Sequence, residues 1–277
     1  MDIGEGRSRS KYLVTFSGRY GDILWSLPTV KMISELEGVP VDFCTMGIYK
    51  TLAPLIEKQH YIKNSGWADS WVLEHECYGS QPWQPPIQVE LDYEKAWHLG
   101  YRCHPHGIAL IDFVAQQQGM RLVNPIPFLN GDDTEVIGKN WDRTIMYSFN
   151  TQYGDMKEIF LERLKQLCPD FQFENAQELS WTTAAYFIKR AFCFIGCRSS
   201  NNVIAHGVGQ KNIFIFEPHP SRHALGPLGQ VFGCPYGEEM TVPVNMNPQP
   251  AAEVAAGQIV RWYQTREQEV LHATNSA

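Results

Sequence analysis

The stretch from Thr144 to Phe216 constrains the fold more than any other part of the chain, because short apolar runs alternate there with helical patterns. Thr144 to Phe149, Phe171 to Phe173, Phe192 to Ile195 and Asn212 to Phe216 read as strands. Met156 to Leu167, Thr182 to Ala191 and Ser200 to Val208 lie between them and read as helices. Strands separated by helices of about 10 residues pair in parallel through right-handed crossovers. Ligands bind such sheets beyond the carboxyl ends of the strands.

The first half opens in the same way. Tyr12 to Phe16 reads as a strand, Ser17-Gly18 as its end, and Ile23, Leu24, Leu27, Val30, Ile33 and Leu36 recur at helical spacing. Pro28 falls in the first turn or two of that helix, where a missing N–H is tolerated. Val41 to Cys44 reads as a second strand, Tyr49 to Ile56 as a helical piece, and His106 to Gly119 as a helix closed by glycine. Trp67 to Pro86 carries Trp67, Trp71 and Trp83 and ends in prolines, which predicts a loop over a cleft. Its tryptophans either bind an acceptor or cap the core. Asn124 to Asp133 reads as a connector, and Ala251 to Tyr263 as a terminal helix followed by a frayed polar tail.

A chain of 277 residues has the length for two compact domains. The expected fold class is α/β, with two Rossmann-like domains facing a cleft. The expected division is 1–130, 131–266 and a polar tail at 267–277. The net charge of −7 disfavours a protein that holds nucleic acid by neutralising phosphates. No apolar run approaches the ~20 residues of a membrane span, and Met1 to Ser10 lacks a signal-peptide core, so a cytoplasmic location is expected. Cys44, Cys77, Cys103, Cys168, Cys193, Cys197 and Cys234 form no CxxC pair, which fits reduced thiols. Cys193, Cys197 and His206 match no zinc spacing.

The loop Ser17-Gly18-Arg19-Tyr20-Gly21-Asp22 joins the first strand to the first helix, so it opens onto the ligand side of the sheet. Its glycines allow close backbone approach, yet the spacing is neither the dinucleotide fingerprint nor the Walker loop. Asp22 is either the N-cap of a helix beginning at Ile23 or a group that faces a ligand. Ser199, Ser200 and Asn201 begin a later helix, whose free N–H groups and dipole favour an anion, and Arg198 adds a planar fork for phosphate. The alternative for Arg198 is a surface arginine beside a helix cap. Ser148 and Asn150, at the end of the Thr144 strand, join the donor-side set. Glu217-Pro218-His219-Pro220 lands at the rim after the Asn212 strand, where Glu217 and His219 are donor contacts or solvated loop residues, as are Arg222 and His223. His104 and His106 either face an acceptor or belong to a helix N-terminal loop.

Two of these patches resemble the heptosyltransferases of glycosyltransferase family nine. Ser17-Gly18-Arg19-Tyr20-Gly21-Asp22-Ile23-Leu24-Trp25-Ser26-Leu27-Pro28 resembles their opening signature. Leu179 to Gly209, with Leu179-Ser180, Ala184, Ala185 and Cys193-Phe194-Ile195-Gly196, resembles their donor-side segment. The architectural likeness runs over roughly Tyr12 to Glu217. The chain departs from the pattern after Gly196, where the family has Asp-Ser/Thr-Gly and then histidine and this chain has Cys197-Arg198-Ser199-Ser200-Asn201-Asn202-Val203. It departs again at Tyr153-Gly154-Asp155-Met156-Lys157, where the family has Lys-x-Trp-Pro.

The resemblance implies the GT-B fold and a proposed general base at Asp22. It implies inverting transfer of a sugar from a nucleotide-diphosphate donor to an acceptor hydroxyl, with Gly18, Arg19 and Gly21 positioning acceptor or phosphate. No metal and no cofactor are expected, the nucleotide sugar being a co-substrate. The same fold acting on a hydroxylated nucleic-acid base or a small metabolite is an alternative. So is a non-catalytic protein that binds a nucleotide or a partner.

Overall fold

The computed structural model describes residues 8–68, 93–100, 108–131, 139–149, 154–216, 234–242 and 246–275. Two parallel sheets are wrapped by helices. The first contains β1 (Tyr12–Phe16), β2 (Val41–Met46), β3 (Ile62–Ala68) and β4 (Lys95–Leu99), in the order β3-β2-β1-β4. The second contains β5 (Thr144–Ser148), β6 (Gln172–Asn175), β7 (Cys193–Gly196), β8 (Ile213–Ile215) and β9 (Met240–Thr241), in the order β6-β5-β7-β8-β9. Among the described residues every pairing is parallel. The helices are α1 (Tyr20–Glu37), α2 (Ala53–Ile56), α3 (Leu110–Gln116), α4 (Asp155–Leu167), α5 (Trp181–Arg190), α6 (Ser200–Gly207) and α7 (Pro248–Asn275). Among the described residues no helix is long and apolar enough to cross a membrane.

The strands are buried because helices cover the sheets, so they read as continuous apolar runs rather than alternating ones. β7 and β8, Cys-Phe-Ile-Gly and Ile-Phe-Ile, are buried at every position. One core cluster joins the two halves: Val14, Phe16 and Leu27 of the first belong with Phe194, Ile204 and Ile213 of the second. Among the contacts that join them, α1 packs on α6 and α2 on α5. A second cluster lies under α4 and α7, where Phe160 stacks on Phe216 with ring centroids 4.5 Å apart.

Several elements differ from the sequence expectation. The first helix starts at Tyr20 instead of Ile23, with Arg19 in extended backbone before it. Asp22 is therefore not the N-cap, and Pro28 sits well inside the helix. There the proline leaves the Leu24 carbonyl without its usual donor. Trp67 belongs to β3 and is buried, so it caps the core; Trp71 and Trp83 lie outside the described residues. β3, β4 and β9 have no counterpart among the expected strands. The terminal helix continues past Tyr263 to Asn275, its last described side chains exposed.

The connector between the sheets is not a free linker. The N–H groups of Phe128 and Leu129 both donate to the Gly207 carbonyl at 2.8 Å, docking the connector onto the end of α6. A Cβ on Gly207 would meet the Leu129 side chain at 2.6 Å and 2.8 Å, with Phe128 at 3.0 Å. Gly207→Ala is thus an overpacking change, expected to cost about 1–3 kcal/mol in a denaturant titration.

Candidate active site

At the carboxyl end of β1 the chain turns through Ser17 and Gly18 into α1. Gly18 is held against Phe16 and Asp22, so tightly that a Cβ there would lie 2.8 Å from the Asp22 Cβ. Asp22 occupies the third position of α1, and its Oδ2 accepts a hydrogen bond from the Arg19 N–H at 3.1 Å. A carboxylate in a first turn satisfies an orphan N–H and meets the positive end of the helix dipole. Asp22 is half-buried. Burial raises its carboxyl, against the opposing Arg19 N–H and Arg19 charge, to about 6. That value suits a group that takes a proton near neutral pH.

Gly21, one residue earlier, faces the other half of the molecule. A Cβ built on it would lie 3.8 Å from both the Ser200 Oγ and the Val203 side chain. The first turns of α1 and α6 therefore adjoin, each from a different sheet. Tyr20 adds an aromatic bridge, its ring 5.1 Å from Trp181 and 4.6 Å from Tyr49. Thr51 ties the bridge together: its Oγ1 donates to the Tyr20 hydroxyl at 3.0 Å and accepts from the Trp181 indole N–H at 3.3 Å.

Beyond the carboxyl ends of β5, β6 and β7 lies a cavity of about 260 Å³. Its wall is Ser148, Ala176, Gln177, Leu179, Trp181 and the run Ser199, Ser200, Asn201. The position obeys the rule for parallel sheets. Asn201 is buried and donates from Nδ2 to the Ser148 Oγ at 3.0 Å. Its Oδ1 and the Ser199 hydroxyl are buried without a hydrogen-bond partner among the described residues. Amide orientation is assigned from the network, and the reverse placement would turn a donor instead of an acceptor outward. Either way the cavity presents polar groups that a ligand can satisfy.

Arg198, just before this run, is mostly buried and pairs its Nη2 with the Glu239 Oε1 at 2.8 Å. Glu239 also holds the His206 Nε2, at 2.9 Å through its other oxygen. Burial alone would lower the His206 imidazole, but Cys234 and Glu239 outweigh it and push it up to about 9. Burial would raise the Glu239 carboxyl, yet His206 and Arg198 hold it below the ordinary value. The His206 imidazole and the Glu239 carboxyl are then both charged at neutral pH.

The structure therefore brings Gly18, Arg19, Gly21 and Asp22 to one edge. It brings Ser148, Ser199, Ser200 and Asn201 to the adjoining cavity, with Arg198 behind them in an ion pair. Asn150, Glu217, His219, Arg222, His223, His104 and His106 lie outside the described residues, as do Cys77 and Cys103. Cys193 and Cys197 pack in the core, and His206 turns to Glu239. Among the described residues no three of His, Cys, Asp and Glu gather as metal ligands would. Gln177 and Glu239 were not expected in the site, and Leu179 and Trp181 fall within the expected donor-side segment without having been named as contacts. For Trp181 the available signal was its place directly after the Ser180 N-cap, at the carboxyl edge of the sheet.

No protein-family model and no curated protein matches the sequence. Solved structures do match. The iron-containing dodecameric glycosyltransferase TibC of enterotoxigenic E. coli superposes with a TM-score of 0.57 at 11% identity, over 95% of this chain and 78% of that one. A family 9 glycosyl transferase of Veillonella parvula gives 0.57 at 9% identity, over 94% and 99%. The E. coli heptosyltransferase WaaC with ADP gives 0.56 at 10% identity, over 91% and 99%. The chain has the heptosyltransferase fold. At these identities the likeness establishes the fold alone, which is the α/β class the sequence implied.

Proposed function

We propose that the chain is an inverting glycosyltransferase that moves a sugar from a nucleotide-diphosphate donor to an acceptor hydroxyl. The observation that carries this reading is the adjacency of Asp22 to the first turn of α6 through Gly21. A carboxyl raised by burial to about 6 lies next in sequence to Gly21, which adjoins the first turn of the helix that forms part of the polar cavity's wall. Glycosyl transfer needs both: a base for the incoming hydroxyl and a positive site for the departing diphosphate.

In this reading the 131–266 half holds the donor. The nucleoside lies against Trp181 and Leu179, and the diphosphate meets the α6 dipole, Ser199, Ser200 and Asn201, with Ser148 behind Asn201. Arg198 adds positive charge. The 1–130 half holds the acceptor near Gly18, Arg19 and Gly21. Asp22 removes the hydroxyl proton as the oxygen attacks the anomeric carbon from the face opposite the leaving group, which inverts the configuration. The charge on the leaving group is met by protein groups, so the reading calls on no cofactor. A cytoplasmic location belongs to the same reading, supported by Cys44, Cys168, Cys193, Cys197 and Cys234, which are buried and outside any disulfide among the described residues.

The neighbours of this fold include WaaC solved with ADP, which makes adenine nucleotides the first donors to try. The test is a thermal-unfolding screen with ADP, UDP, GDP and CDP and their sugars, followed by transfer assays. A nucleotide at 100 times its Kd should add about 2.7 kcal/mol of stability. Absence of any shift with all four would overturn the reading and leave a protein that binds some other partner. Trp181→Ala is expected to weaken the nucleotide that binds by about 1–3 kcal/mol, the usual worth of base stacking on an aromatic ring. Calorimetry on that variant checks it.

A further inference from the structure

We infer that Thr51 of the first half is a positioning residue for the nucleotide donor, holding the Trp181 indole of the second half as a fixed wall for the nucleobase; this rests on the glycosyltransferase reading above. The inference starts from a hydroxyl that is used in both senses. Thr51 Oγ1 donates to the Tyr20 hydroxyl at 3.0 Å and accepts from the Trp181 Nε1–H at 3.3 Å. A hydroxyl has one proton and two lone pairs, so spending the proton on Tyr20 turns a lone pair to the indole, whose N–H can only donate. The two contacts form one directed chain from α1 through Thr51 to α5.

Trp181 lines the cavity, and it is the first residue of α5. Its backbone is set by the Ser180 cap, whose Oγ accepts the Thr183 N–H at 3.2 Å. The backbone alone does not fix the ring, because rotation about the bond to an indole is broad. Thr51 holds the N–H edge, and the Tyr20 ring lies against the indole with centroids 5.1 Å apart at 37°. Tyr49 packs edge-on to Tyr20 at 4.6 Å. Thr51 and Tyr49 both belong to the 3₁₀ helix Gly47–Leu52, which runs straight into α2, and α2 packs on α5. The first half therefore supplies the support, while every residue of the cavity wall belongs to the second. Both hydrogen bonds lie at exposed positions, where water would satisfy the same groups, so neither is required to rescue a buried polar atom. What they fix is the angle of the ring. A nucleobase that stacks on a ring already held in place binds more tightly, since no side-chain rotor is immobilised on its arrival.

A contact that only joined the two halves would leave nucleotide affinity untouched, and a thermodynamic cycle separates the two roles. Binding of ADP, UDP, GDP and CDP is measured by calorimetry on the full chain for wild type, Thr51→Val, Thr51→Ser, Trp181→Ala, Trp181→Phe and Thr51→Val combined with Trp181→Phe. Urea titration confirms that each variant is folded. Thr51→Val keeps the shape of the side chain and removes both hydrogen bonds, and it is expected to weaken the nucleotide that binds by about fivefold. Thr51→Ser keeps the hydroxyl and is expected to stay within about twofold of wild type. Phenylalanine at 181 keeps an aromatic face without the N–H, so in that background Thr51→Val should change affinity less than about twofold. No loss with Thr51→Val, an equal loss with Thr51→Ser, or an equal loss in the Trp181→Phe background would overturn the inference while the glycosyltransferase reading stands. Unchanged affinity in Trp181→Ala would place the nucleoside elsewhere and overturn it too. Failure of wild type to bind any of the four nucleotides would overturn both.

Discussion

Asparagine in place of Asp22 is expected to lower glycosyl transfer by about 10²–10⁴-fold, the usual contribution of a positioned general base. Nucleoside diphosphate affinity should stay within about twofold, because in the proposed mechanism the lost group acts on the acceptor proton and not on the donor. The substitution is close to isosteric. The amide carbonyl that replaces the carboxylate can still accept from the Arg19 N–H, so the first turn of α1 keeps its cap. In wild type, kcat/KM should fall as pH drops below about 6, where burial places the carboxyl. That acid limb should be missing in whatever residual activity the variant retains. Equal loss of binding and turnover would instead mark Asp22 as part of the donor site.

The same variant should be more stable than wild type at neutral pH. The Asp22 carboxyl is raised from 3.8 in the unfolded chain to about 6 in the folded one. Between those values the native state holds more protons, so stability falls as pH rises, and the full cost is present above 6. Removing the charge relieves it, by roughly 1–3 kcal/mol after allowance for partial solvent access. Catalytic sites commonly hold carboxyls whose values are raised by burial in this way. Chemical denaturation of the two proteins at pH 7.5 measures the difference, and a less stable variant would count against it.

The parts of the molecule that local pattern controls were legible. β5, β7 and β8 fall within a residue or two of the expected runs, because both faces of a parallel sheet are covered and every side chain can be apolar. The β1–α1 loop was legible for the same reason: Leu13, Val14 and Phe16 define a strand, and Ser17-Gly18 ends it. β3 was not. Its sequence, Ile-Lys-Asn-Ser-Gly-Trp-Ala, places polar residues inside, and each is satisfied by a distant partner. Asn64 donates to Asp42 at 2.8 Å, and the Ser65 hydroxyl donates to Glu57 at 2.7 Å. Hydrophobic periodicity cannot register a strand whose buried groups are hydrogen-bonded instead of apolar. The start of α1 was missed because Arg19 and Tyr20 carry no capping side chain. Asp22 looked like the cap itself, and it caps from inside the helix. Within the site, Ser199 to Asn201 could be read from the helix start. The Glu239 contacts join segments far apart in sequence and obey no local rule.

Alanine at Glu239 is expected to destabilise the protein by about 3–5 kcal/mol, because it leaves Arg198 and His206 as buried cations without their shared anion. The loss should depend on pH in a direction that identifies its source. His206 rises from 6.5 to about 9 on folding. Its contribution is fully present below pH 6.5 and disappears as pH climbs through 9, and the span corresponds to about 3 kcal/mol. Glu239 moves the other way: its carboxyl is lowered on folding from 4.5, so its contribution is present above that value and fades as pH falls. Wild type should therefore lose stability on the alkaline side between 6.5 and 9. In the Glu239→Ala variant that slope should flatten, since an imidazole without its carboxylate has less reason to hold a proton. Urea titrations of both proteins at pH 6.5, 8 and 9.5 provide the comparison. Parallel stability curves would mean that the imidazole draws its charge from the Cys234 side, leaving Glu239 to act on Arg198 alone.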